Sequence, residues 1–109
     1  MDDMNTVIVQ NEQANSGMDI HLYFNSQIGY YTAYGLSAFL ADHIIEGLKS
    51  YSEAYEMPVI IVSPGEVLSL RGATNKVAHE PRKYYHFTLK YPIGKEGYVK
   101  WTNSLKRKV

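Results

Sequence analysis

Residues 19–35 read DIHLYFNSQIGYYTAYG, and their hydrophobic period is two residues. Apolar side chains alternate with polar or amphipathic ones in the first half, in the order Ile20, His21, Leu22, Tyr23, Phe24 and Asn25. This period is typical of a strand that is buried on one face only. Asn25, Ser26 and Gln27 supply turn-forming side chains, and a second alternating segment follows over 28–34. The segment therefore predicts a β-hairpin.

The hydrophobic period changes after Gly35. From Leu36 to Tyr55 the apolar residues recur at steps of three and four, which is the spacing of one face of an amphipathic helix. Ser37 is a residue type that often caps the first turn of a helix. We therefore predict one long helix over 37–55, with Ser37 as its N-cap.

A strand and a second helix are predicted between residues 59 and 72. The β-branched run from Val59 to Val62 indicates a strand covered on both faces. The next four residues, 63–66, read SPGE, which is a capping box with proline at the first helical position. These signals favour a short helix over 64–71. The alternative is a strand through EVLSL at 66–70, whose apolar residues also alternate.

The remaining segments complete an α+β arrangement. We predict a loose N-terminal tail over 1–17, with at most one edge strand at 6–9. Residues 73–81 read as a polar loop, and strands over 83–91 and 98–105 are joined by PIGKEG. Residues 18–109 are thus expected to form a single α+β domain with two layers, in the order β-β-α-β-α-β-β. One long helix would pack on a mostly antiparallel sheet.

Composition excludes some classes of protein and leaves the partner open. The 109 residues include no cysteine, so disulfides and thiolate metal sites are impossible. No apolar run approaches the length of a membrane helix, and the acidic start lacks the features of a secretory signal. We therefore expect a soluble protein of the cytoplasm that does not bind membranes.

The formal net charge is zero, but residues 1–66 hold nine acidic residues and one lysine, whereas 67–109 hold ten basic and two acidic residues. This asymmetry indicates either a polyanionic partner or two halves that neutralise each other.

The final predicted hairpin presents a candidate binding surface. The side that bears Phe87 and Trp101 is the more apolar and is expected to face the core. The other side and its neighbours combine aromatic and basic side chains: Arg82, Lys83, Tyr84, His86, Lys90, Lys95, Tyr98 and Lys100. Aromatic faces stack on bases, and basic side chains neutralise phosphates, so this set predicts a nucleic-acid-binding surface. The alternative is an ordinary exposed strand face, since tyrosine and threonine favour strands and lysine protects edges.

The ten tyrosines favour a second kind of function. Tyrosine offers a large amphipathic contact and is enriched at protein interfaces. An acidic half and a basic half could also meet between two copies related by a two-fold axis. A homodimeric or protein-interaction adaptor is therefore the alternative to a nucleic-acid-binding protein.

No motif of an enzyme or a cofactor site is present. The chain has no P-loop, no GxGxxG, no GxSxG and no HExxH. Asp42, His43 and Glu46 have the spacing of a metal site, but His43 lies on the apolar stripe of the predicted helix. His21 and His86 would approach each other only if their strands were neighbours. We expect no cofactor and no metal, and a binding protein rather than an enzyme.

Overall fold

The computed structural model describes residues 3–80 and 83–106. The described residues form an α+β fold with four helices and six strands. In chain order these are α1 (Asp3–Gln13), β1 (Asp19–Asn25), β2 (Tyr30–Tyr34), α2 (Gly35–Asp42), β3 (Leu48–Ser52), β4 (Met57–Val62), α3 (Pro64–Gly72), β5 (Thr74–Glu80), β6 (Tyr84–Leu89) and α4 (Tyr98–Lys106). Within these ranges no helix combines the length and the apolar character that crossing a membrane requires.

The six strands form one antiparallel sheet in the order β3-β4-β2-β1-β6-β5. β1 and β2 pair as the predicted hairpin, with Tyr23 opposite Thr32. β1 also pairs with β6, so the first hairpin and the last strand are neighbours although they are far apart in sequence. The predicted α+β class and the antiparallel sheet are confirmed.

Alternate side chains of the sheet form the core on one face. The residues of β1, β4 and β6 on this face that are almost fully buried are Ile20, Leu22, Ile60, Val62, Phe87 and Leu89. The short helix α2 covers them, and every residue from Gly35 to Ala41 is buried. α3 adds Val67 and Leu70 to the same cluster. This layer matches the expected packing of helix on sheet.

The opposite face of the sheet is covered in part by α1. Ile8 of α1 is 2% exposed, and the Asn11 side chain donates a hydrogen bond to the hydroxyl of Tyr23 on β1. Tyr23 points away from the core because its neighbour Leu22 points into it. Helices therefore lie on both faces, and the predicted two-layer order is incomplete. The prediction of an edge strand at 6–9 is wrong, since these residues are helical.

The single long helix predicted over 37–55 is wrong. α2 ends at Asp42, and the chain then forms β3, which pairs with β4. Gly47 allows the chain to pass this close to β4, because a Cβ at this position would collide with the carbonyl oxygen of Ile61. Ser37 is not the N-cap either: α2 begins at Gly35, and its N-cap residue Tyr34 makes no side-chain capping bond.

The predicted helix after β4 is confirmed as α3. The Ser63 hydroxyl accepts a hydrogen bond from the backbone N–H of Glu66, at 3.2 Å. The Glu66 carboxylate accepts one from the backbone N–H of Ser63, at 2.9 Å. Both halves of the capping box are therefore formed, and Pro64 occupies the first turn.

The last third of the chain departs most from the predicted order. Residues 74–80, expected as a loop, form the edge strand β5. Residues 98–105, expected as a strand, belong to the helix α4. Tyr98 and Trp101 both pack edge-on against Phe39 of α2, and Leu105 is buried, a spacing of three and four that suits a helix. PIGKEG thus joins a strand to a helix and does not close a hairpin.

Candidate binding groove

The register between β1 and β6 places four ring-bearing side chains on the face that α1 covers in part. Tyr23 lies directly opposite Tyr84, and His21 lies directly opposite His86. Directly opposed residues of antiparallel strands point to the same face. The two tyrosines and two histidines therefore form one contiguous patch, with one tyrosine and one histidine on each strand.

An open groove of about 670 Å³ lies between α1 and the two tyrosines of this patch. We call it the aromatic groove, and its lining consists of Val7, Asn11, Tyr23, Phe24, Ser26, Glu80, Lys83 and Tyr84. Tyr23 is 4% exposed and forms its floor, whereas Phe24 and Tyr84 are half-buried and Lys83 is exposed. The backbone N–H of Phe24 bonds the carbonyl of Lys83 at 2.9 Å, which holds these two sides of the groove together.

Hydrogen bonds fix the two tyrosine rings of the groove. Asn11 Nδ2 donates to the Tyr23 hydroxyl at 2.9 Å, and the Tyr84 hydroxyl shares a 2.7 Å hydrogen bond with His21 Nδ1. The ring centroids of Tyr23 and Tyr84 are 5.6 Å apart. Burial raises the pKa of both hydroxyls above the usual value, so both stay protonated at neutral pH. The groove therefore has rigid, uncharged aromatic sides.

The histidine pair lies next to the groove and is itself hydrogen-bonded. The rings of His21 and His86 are stacked with centroids 4.3 Å apart. His86 Nε2 is 2.9 Å from the Asp19 carboxylate. Burial, followed by the nearby His86, lowers the pKa of His21 to about 4, so His21 is neutral at physiological pH. The lining of the aromatic groove stops at Tyr84 and includes neither histidine. The pair therefore supports the groove and does not line it.

A buried polar cluster connects α1 to the rest of the protein. Both the backbone N–H and the hydroxyl of Ser37 bond the Glu12 carboxyl, at 2.8 and 2.6 Å. The same hydroxyl accepts a hydrogen bond from the backbone N–H of His21, at 2.9 Å. Burial raises the pKa of Glu12 to about 7, although the bonds from Ser37 act in the opposite direction. One side of the groove is thus held in place by a carboxyl that titrates near neutral pH.

Among the described residues, no group of three or more histidine, aspartate or glutamate side chains could hold a metal ion. His43 is engaged differently from the metal-site pattern considered above. Its Nδ1 lies 2.8 Å from the carbonyl oxygen of Phe39, at the end of α2. Asp42 instead bonds Lys49 and the indole N–H of Trp101.

The eight predicted binding residues lie in different places. Lys83 and Tyr84 line the aromatic groove, with His86 beside it, and Lys90 is exposed just beyond the end of β6. Tyr98 packs against Phe39 on the other side of the sheet, while Lys95 and Lys100 line a separate cavity of about 590 Å³ next to α4. Arg82 lies outside the described residues. Among the described residues, Lys83, Lys90, Lys95 and Lys100 have no ion-pair partner.

Sequence reasoning missed most of the groove. The sequence predicts Tyr23 and Phe24 in a strand without a binding role, and Val7 and Asn11 in a tail. The neighbouring strands that would bring His21 and His86 together do exist, but the sequence contains no signal for the β1–β6 pairing. A signal for α1 was present, since Ile8, Asn11 and Glu12 follow helical spacing.

Comparison with known proteins finds no family model, no curated protein and no solved structure that matches this chain. Function is therefore inferred from the side chains described above.

Proposed function

We propose that this protein binds single-stranded nucleic acid by holding one base in the aromatic groove. The observation that carries the proposal is the combination of fixed aromatic rings and an exposed lysine in one open groove. A duplex would keep its bases stacked and hidden, whereas a single strand can turn a base into such a groove.

Stacking supplies the attractive interaction with the base. Tyr84 is half-buried and exposes part of its ring to the groove, whereas the ring of Phe24 packs against the core. Stacking of a base on an aromatic side chain contributes roughly 1–3 kcal/mol and tolerates any base. Because the Tyr84 hydroxyl is already bonded to His21, little rotamer freedom remains to be lost on binding.

Charge makes a smaller contribution than the ten basic residues of the C-terminal part would suggest. Lys83 is the one basic residue in the described lining, and the lining also contains one acidic residue, Glu80. We therefore expect contacts with about one or two phosphates. The affinity should then fall with salt with a log–log slope between roughly −0.7 and −1.4 for a single strand. A much steeper slope would indicate a wider basic surface that also uses Lys90, Lys95 and Lys100.

Fluorescence anisotropy of labelled oligonucleotides, single- and double-stranded, tests the proposal at low and moderate salt. Tyr84→Leu removes the ring, and Lys83→Glu reverses the charge at the groove. Lys100→Glu is the matched control, because it makes the same charge change on α4, outside the groove. We expect single strands to bind more tightly than duplexes, and both groove variants to weaken binding about tenfold or more, with Lys100→Glu close to the wild type.

Two results would contradict this assignment. Absence of binding at low salt would remove nucleic acid as the ligand. Weakened binding in Lys100→Glu, with Lys83→Glu unchanged, would move the surface to α4.

A self-associating adaptor is the second candidate function, and the exposed edge strand β5 is the observation that favours it.

A further inference from the structure

β5 ends the sheet, and no other described strand pairs with its outer edge. The strand order places β5 last, with β6 as its partner on the inner side. Residues 75–80 are all exposed, so the described residues do not cover this edge. An open edge presents backbone N–H and C=O groups that another strand can pair with.

The charges along β5 are arranged in a self-complementary way. Lys76 and Glu80 are four positions apart and point to the same face as Ala78, midway between them. Within the described part of the chain neither side chain has an ion-pair partner. Their neighbours on β6 are the uncharged residues Thr88 and Tyr84. Each charge is therefore free to interact with a partner strand.

We propose that β5 pairs with β5 of a second copy of this chain, antiparallel and centred on Ala78. In this register Lys76 of each copy lies directly opposite Glu80 of the other, so the two-fold axis generates two oppositely charged pairs. Opposite charges in directly facing positions stabilise a strand pair, and like charges destabilise it. A parallel pairing in register would place lysine against lysine and is disfavoured.

The same charges explain how this edge avoids unspecific pairing. Lysine on an edge strand and the irregularity between Thr74 and Lys76 both discourage edge-to-edge aggregation. Glu80 of a second copy neutralises that lysine in one register only. Charged residues that repel most partners and attract one are a common source of specificity. The dimer would extend the sheet to twelve strands and place the two aromatic grooves on the same face.

The test measures molecular mass by sedimentation over a series of protein concentrations, without nucleic acid. The wild type should show a concentration-dependent dimer. Lys76→Glu leaves two carboxylates facing each other at each site, and Glu80→Lys leaves two lysines. Each variant alone should therefore raise the dissociation constant about tenfold or more. An equimolar mixture of the two variants should form a heterodimer, because every facing pair is then oppositely charged.

Two further variants keep the test decisive. The double swap, Lys76→Glu with Glu80→Lys, restores both pairs and should dimerise like the wild type. Lys100→Glu changes the same charge away from β5 and should leave the mass unchanged. The proposal is overturned by a wild type that stays monomeric at every concentration, by single variants that dimerise normally, or by a mixture that stays monomeric. Because the readout involves no oligonucleotide, its failure is distinct from failure of the proposed nucleic-acid binding.

Discussion

Ser37 shows how one side chain can have a larger structural role than the sequence suggests. A serine near the start of a helical pattern predicts an N-cap, but the Ser37 hydroxyl is fully buried and bonds Glu12 and the backbone of His21. Ser37 lies in the first turn of α2, just after the end of β2, and there it lies beside β1. One hydroxyl thus connects α1, β1 and α2, and no local sequence signal reports such a long-range contact.

The raised pKa of Glu12 predicts an unusual dependence of stability on pH. Burial raises the pKa of Glu12 from its usual 4.5 to about 7, so between these two pH values the folded protein keeps a proton that the unfolded chain has lost. Stability from the neutral carboxyl is therefore complete below pH 4.5 and is lost as the pH rises through about 7. His21 acts in the opposite direction: its stabilising neutral form is present above pH 6.5 and is lost as the pH falls towards 4.

Glu12→Gln should remove the first of these two effects. Relative to the wild type, we expect the free energy of unfolding of the variant to rise by roughly 3 kcal/mol between pH 4.5 and about pH 8. Urea denaturation at a series of pH values measures this difference. Glu53→Gln, in an exposed turn, is the control and should follow the wild type at every pH. A constant difference between Glu12→Gln and the wild type would show that the pKa of Glu12 is the same in the folded and unfolded states.

At the scale of elements, local signals succeeded where they were complete within a few residues. The capping box of α3 needed no distant partner, and the predicted helix is confirmed. The alternation over 19–25 places the strand β1 correctly, but the expectation of one buried face is wrong, since Ile20, His21, Leu22 and Tyr23 are all buried. β5 could not be recognised because its residues 75–80 face solvent on both sides, so they show no hydrophobic period. The path from α2 into β3 includes Gly47, which lies against Ile61 of β4, and this is a tertiary contact.

The packing of α4 on α2 depends on Trp101. Its indole N–H donates to Asp42 at 3.1 Å, and its ring meets Phe39 edge-on at 5.4 Å. Because Trp101 is only half-buried, we expect Trp101→Ala to cost roughly 2–3 kcal/mol, somewhat less than a fully buried ring. Thermal and urea unfolding measure the loss. Trp101→Phe keeps an aromatic ring at this position and should lose less stability than Trp101→Ala. A variant with alanine and an unchanged midpoint would show that α4 adds no stability through this residue.

At the scale of the whole molecule, the acidic and basic parts of the chain are neighbours in the sheet. β1, from the acidic part, lies between β2 and β6, and β6 belongs to the basic part. The aromatic groove is built from both parts, with Asn11 and Tyr23 from one and Lys83 and Tyr84 from the other. Composition could indicate aromatic and basic binding chemistry, but the site itself required the pairing of distant strands.

Among the side chains that the structure describes, Ile8 and Asn11 attach α1 to the face that carries the groove, and Glu12 bonds Ser37 of α2. We therefore expect α1 to open locally before the sheet unfolds. Ile8→Ala should lower the free energy of this opening by about 2–4 kcal/mol, unless opening is already close to complete. Native-state hydrogen exchange then shows faster exchange of the α1 amides, with the amides of β1 and β6 changed much less. Val7→Ala, at a position 42% exposed on the same helix, is the matched control and should change exchange by less than about 0.5 kcal/mol. Equal acceleration of the α1 and β1 amides in Ile8→Ala would mean that α1 unfolds only together with the sheet. The groove would then be as rigid as the core beneath it.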